Sequence, residues 1–167
     1  YLEIQEPCAG WNHATLGDVL NPAAARRFIA LTHERYAARV GRHFGDTIPG
    51  IFTDEPHFVH KPCLRAAADL TDLRLPFTDD LPDTYRRAFG DDLLDHLPEI
   101  VWDLPHRAPS LTRLRFHDHL CDRLLDGFLR PIADWCAAHR IALTGHLVEE
   151  STLTAQTQYN GDIMRGY

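Results

Sequence analysis

The chain is poor in lysine, serine, methionine and long apolar runs, and each shortage excludes something. Lys61 is the single lysine among 17 basic residues; the others are arginine. Aspartate and glutamate number 24, so the formal net charge is −7 and the pI about 5.8. That balance argues against a nucleic-acid partner bound through an extended basic face. No apolar stretch reaches the roughly 18 residues of a membrane helix, so no span is expected. Serine occurs only at 110 and 151, neither within a nucleophile elbow. The four cysteines, Cys8, Cys63, Cys121 and Cys136, form no CxxC pair, and their spacing gives no zinc signature. Cys121 and Cys136 fall in an apolar helical pattern and read as small buried hydrophobes. Four free thiols in a reducing, cytoplasmic setting are expected. The chain opens on Tyr1 and stops at Tyr167, and it reads as a piece from which a targeting segment could have been removed.

What is present is ordinary for a globular protein. Hydrophobic residues make up 44% and charged residues 25% of 167 positions, enough for one domain, residues 1–167, with a real core. Asn21 and Pro22 mark a helix start. Ala25, Ile29, Thr32, Tyr36, Val40 and His43 recur at three or four residues, which predicts one helix with that face packed on a sheet. Arg42, His43 and Gly45 mark its end. "TIPGIFT" is short and nearly all apolar, as expected of a strand covered on both faces. Residues 56–83 show no period and read as a long loop. Two short helices follow, broken at Gly90 and closed by Pro98. Ser110 to His139 predicts the longest helix, kinked at Pro131, with Leu114, Cys121, Leu125, Phe128, Ile132, Trp135 and Cys136 on its apolar face. Gly127 makes room for the proline ring. Ile141–Thr144 forms a second strand, leading into Gly145, His146, Glu149 and Glu150. "LGDVL" and "LEIQ" are weaker strand candidates, and the last residues read as loop plus a short helix. Helices between buried strands imply βαβ units, an α/β class and a parallel sheet.

Ligands of parallel α/β proteins bind beyond the carboxyl ends of the strands. Both acidic clusters fall there: Asp54 and Glu55 after one strand, then His146, Glu149 and Glu150 after the next. Asp18 could join them. Two carboxyl groups across a small gap are what glycosidic bond cleavage needs, one protonated to give its proton to the leaving oxygen and one ionised. Glu55 is favoured as the acid, with Glu149 or Glu150 as its partner and Asp54 or His146 orienting it. Trp11 and Trp102 could stack on a sugar face. "HFVHKPC" spaces His57, His60 and Cys63 at three residues, near Asp54. Such a set could hold zinc, and a metal-dependent hydrolase using His57, His60, Asp54 and His146 is one alternative. Loop histidines are mostly surface groups, however, and neither metal nor cofactor is expected. His117, Asp118 and His119 read as a solvated helix flank, since they cannot share one face. A carbohydrate-binding or structural segment without turnover is the other alternative.

"NPAAARRFIALTHERYAARVGRHFGDTIPGIFTDEP", "LPDTYRRAFGDDLLDHLPEI" and "ADWCAAHRIALTGHLVEESTL" together resemble the barrel of large bacterial glycoside-hydrolase-like proteins. These are related in layout to the α-L-rhamnosidase type, in which a TIM barrel is joined to β-sandwich modules. The resemblance covers roughly residues 18 to 167, and "IFTDEP" and "LTGHLVEE" are its most specific parts. "TDEP" is also similar to the Asn-Glu-Pro strand end of the large retaining glycosidases, with Asp54 in place of the asparagine. The resemblance implies a carbohydrate substrate and an acid at Glu55; Asp54, His57, His146, Asp18 and Trp11 are the substrate-binding candidates that the residues themselves suggest. A complete (β/α)8 barrel takes about 250 residues. The chain is therefore expected to be a partial TIM-barrel segment with parallel strands and a helical insertion. Its open sheet edges could pair with a second copy.

Overall fold

Asn21 opens the first helix as the sequence requires. In the computed structural model, which describes residues 13–166 together with Pro7 and Ala9, its side chain accepts from the Ala23 amide at 2.9 Å. Pro22 takes the first helical position of α1 (Pro22–Leu31), where its missing N–H costs nothing. The helix does not continue to His43. It breaks at Thr32, whose hydroxyl donates back to the Phe28 carbonyl at 2.7 Å and meets His33 Nδ1 at 2.8 Å. Helix α2 (His33–Val40) follows. The inward stripe is therefore Ala25, Ile29, His33, Ala37 and Val40, while Tyr36 is 62% exposed. The expected stripe ran through Thr32 and Tyr36, one position away, because a single unbroken helix was assumed across Thr32. Gly45 does take the left-handed conformation, at φ 78.

Strands β1 (Gly50–Asp54) and β2 (Ala142–His146) form a parallel pair, in which Gly50 faces Ala142, Phe52 faces Thr144 and Asp54 faces His146. The molecule is thus a mixed α/β fold, its sheet having these two strands among the described residues. Alternation turns Ile51 and Leu143 onto a core built by Phe44, Ile132, Cys136 and Ile141. The opposite face is open: Phe52 is 55% exposed, and Asp54, Thr144 and His146 are exposed beside it. This corrects the expectation of a strand covered on both sides. "LGDVL" is a turn instead of a strand, because Asp18 caps it, accepting from the Leu20 amide at 3.0 Å. Val19 and Leu20 turn inward from there. Cys8, Trp11 and the candidate strand at residues 2–5 lie outside the described residues.

Residues 55–80 contain neither helix nor a named strand, yet Leu64 anchors them, exchanging backbone hydrogen bonds of 2.7 Å with Val101 and Asp103. Helix α3 (Leu81–Phe89) ends at Gly90, φ 70. Pro98 sits in the first turn of α4 (Leu97–Val101); it opens a helix where it was expected to close one. Helix α5 (Leu111–Leu124) is capped by Ser110, which accepts from the Arg113 amide at 3.0 Å. A π-helical turn, Leu125–Leu129, joins it to α6 (Arg130–Ala138). This widened turn is how the helix passes Pro131, which cannot donate to the preceding turn. Gly127 serves another element: a Cβ there would lie 3.1 Å from the Val19 and Leu20 carbonyl oxygens. Leu114, expected inside, is 66% exposed, and His119, expected in solvent, is 7% exposed.

The second core lies among α3, α4 and α5. Tyr85, Leu93, Ile100, Phe116 and Leu120 meet Leu20 and Phe58 there. Phe128 packs against both cores. Fully buried groups such as Leu120 and Ile132 contribute about 1.5–3 kcal/mol each relative to exposure. Cys63, Cys121 and Cys136 are free thiols, the latter two buried. Helix α7 (Leu153–Tyr159) closes the described chain, with a last 3-10 turn. No helix among the described residues is long and apolar enough to cross a membrane.

Candidate functional site

The parallel register decides where the acids go. Asp54 and His146 end the two strands as direct partners. His146 Nδ1 lies 4.0 Å from Asp54 Oδ1, and both side chains are largely in solvent. Phe52 stands behind them, its ring edge-to-face with His146 at 5.2 Å. The ladder runs one residue further, with the Glu55 amide donating to the His146 carbonyl at 3.1 Å.

The chain then turns sharply at both strand ends. Glu55 is left-handed at φ 45 and Glu149 at φ 59. For a residue with a side chain this conformation costs about 1–2 kcal/mol, and such outliers gather at active sites and ligand clamps. Each turn is braced by neighbours. His57 Nδ1 sits 2.7 Å from the Glu55 carbonyl, to which it can only donate. Pro56 and Phe58 are buried on either side of His57. In the second turn the Leu147 amide donates to Glu150 Oε1 at 2.7 Å, Asn160 Nδ2 to the Val148 carbonyl at 2.6 Å and Gln156 Nε2 to the Glu150 carbonyl at 2.8 Å. Glu150 is therefore held as a turn brace, and Glu149 stands exposed beside it.

Gly145 is what lets the strands converge. A Cβ at this position would fall on the Thr53 carbonyl oxygen, well inside contact distance. Only glycine permits that approach of one backbone to another. A cleft of about 220 Å³ adjoins the strand ends on the helical side, with Thr53, Pro56, Arg130, His146, Leu147 and Arg165 in its wall. His146 thus touches both this cleft and the open face of the sheet.

The remaining expected site residues divide. His57 joins the strand ends through its hold on Glu55. Asp18 does not join them: its second carboxylate oxygen accepts from Thr78 Oγ1 at 2.6 Å, so it ties two loops together. His60 stacks on Tyr159 at 5.4 Å, and Cys63 donates to Asp103 at 3.5 Å. Each therefore faces a different neighbour from His57, and no group of three metal-ligating side chains converges among the described residues. Phe52 was missed as a site residue. The signal was present, since a phenylalanine alternates with inward Ile51 and Thr53, but the strand was read as covered on both sides. No family model matches the chain, and no curated protein or solved structure matches it significantly.

Proposed function

We propose that the chain carries the acid–base machinery of a glycoside hydrolase-like protein, with Glu55 as proton donor to the leaving oxygen and Glu149 as the second carboxylate. In this reading β1 and β2 are neighbouring strands of a (β/α)8 barrel segment. The observation that carries it is the pairing of Asp54 with His146, which sends two acid-bearing turns off the same end of one parallel pair. The left-handed backbone of both Glu55 and Glu149 supports the choice between candidates, and the capping bond of Glu150 argues for a bracing role there. Phe52 takes the sugar-stacking part once considered for Trp11, since its exposed ring lies on the same open face. Parallel sheets are ordinarily covered on both faces. The open face, and the sheet edges left unpaired among the described residues, suit completion by further strands, from the same polypeptide or a second copy.

The experiment uses the protein as naturally made, on a panel of glycosides with poor leaving groups, alkyl and unactivated phenyl. Glu55→Gln is expected to lower kcat by about 10²–10⁴ for the accepted sugar, and Glu149→Gln to lower it comparably. Undiminished hydrolysis by Glu55→Gln removes that residue from the mechanism. The exposure of Asp54 and His146 favours a second reading, sugar binding without turnover. It predicts calorimetric binding that survives both substitutions, with no hydrolysis in the parent.

A further inference from the structure

A larger cavity, of about 990 Å³, lies between the loop carrying Arg65 and the 103–110 segment that leads into α5. The chain as a whole is acidic, yet this lining is basic. Arg65, Arg107 and Arg113 stand against Asp103 alone, a net of +2, with His106 and His117 beside them. Arg113 is already committed. Its Nε donates to the Glu99 carbonyl at 3.1 Å, Nη1 to Asp103 Oδ1 at 2.7 Å and Nη2 to the Trp102 carbonyl. That contact occupies the one carboxylate of the wall. Arg65 and Arg107 are exposed, and neither makes an ion pair within 4.0 Å among the described residues, although Arg107 is near enough to help hold the Asp103 pKa down.

The backbone gives an independent signal. His106 and Arg107 are consecutive left-handed residues, φ 58 and 55, fixed by hydrogen bonds from the Arg107 amide to Leu104 and from the Ala108 amide to Pro105. Two successive conformations of this kind cost several kcal/mol together by the usual scale, and they turn this short segment along the cavity wall. The rest of the lining is alanine, proline and leucine, with Ser110 and Thr157.

We propose that this cavity binds a phosphomonoester, its dianionic head between Arg65 and Arg107 and its organic body against Leu104, Pro105 and Leu114. A phosphomonoester carries nearly two negative charges at neutral pH, which matches the net charge of the wall. A carboxylate would leave one guanidinium uncompensated. Guanidinium forks also fit phosphate oxygens two at a time. His117 adds a polar group without adding charge. Burial and the nearby cations Lys61 and Arg113 hold its pKa down to about 4, and it hydrogen-bonds the Thr157 backbone.

The test is calorimetric titration of the whole chain with phenyl phosphate, phenol and benzoate at neutral pH and low salt. Phenyl phosphate is expected to bind, phenol not to bind, and benzoate to bind about tenfold more weakly or worse. Arg65→Gln with Arg107→Gln is expected to weaken phenyl phosphate about a hundredfold, about tenfold for each charged hydrogen-bonding group removed. Both side chains are exposed, so the melting temperature should not move; Arg65→Gln alone, expected to lose about tenfold, serves if it does. Absence of binding at millimolar phenyl phosphate, equal affinity for benzoate, or unchanged affinity in the variants overturns the proposal.

Discussion

Lys61 shows how much one residue can ask of a fold. The only lysine of the chain is 3% exposed. Its Nζ donates to the Tyr159 carbonyl at 2.9 Å and lies 4.5 Å from the centre of the Phe58 ring. Burial removes most of its hydration and lowers its pKa from 10.5 to about 7, with the Cys121 thiol nearby acting in the opposite direction. The sign of the pH effect follows. Between about 7 and 10.5 the unfolded chain holds a proton that the folded chain has lost, so stability rises with pH across that window. Below 7 both states are protonated, and the penalty of the buried charge is present in full. Lys61→Met keeps the apolar stem and removes the charge. It is expected to unfold at higher urea concentration than the parent below pH 7, with the gap closing towards pH 10.5. A difference independent of pH would mean that Lys61 is not buried as described.

At the scale of elements, the strand pair depends on Gly145. Gly145→Ala would drive a methyl group into the Thr53 carbonyl, and the strands must part at the end that carries Asp54 and His146. Overpacking of this kind costs about 1–3 kcal/mol. Urea unfolding is expected to show a loss in that range, whereas Gly17→Ala, with open space around it, should change little. The two strands, the cap at Asn21 and the left-handed turn at Gly45 were legible in the sequence because local chemistry alone determines them. The break at Thr32 was not, since it needs a hydroxyl bonded to Phe28 and a histidine accepted into a core between Phe28 and Trp135. His119 was misread for a similar reason. Its Nε2 meets Thr84 Oγ1 at 2.8 Å, a partner 35 residues away that no spacing rule reveals. The role of Asp18 likewise depends on Thr78, supplied by a distant loop. Of the site, the convergence of the strand ends was legible from βα order, while the difference between Glu149 and Glu150 rested on a turn that only coordinates display.

At the scale of the molecule, two cores share Phe128, and buried histidines lie in both regions. His33, His117 and His119 all have pKa values below the ordinary 6.5, chiefly through burial, His117 at about 4. The folded protein therefore takes up fewer protons than the unfolded chain as the pH falls from 6.5 towards 4, and stability is expected to fall through that window. Denaturant midpoints measured across it should decline steadily; a flat profile would contradict the burial of these rings. The functional account stands on a different feature, the open end of the sheet where Glu55 and Glu149 leave adjacent strands. If Glu55 protonates the leaving oxygen, its value depends on how badly that oxygen needs a proton. The decisive measurement is kcat/KM of Glu55→Gln, in the protein as naturally made, on glycosides of one sugar with poor and good leaving groups. The account predicts a loss of about 10²–10⁴ on the alkyl glycoside and little loss on the dinitrophenyl glycoside. Equal losses on both, or no loss on either, would contradict it.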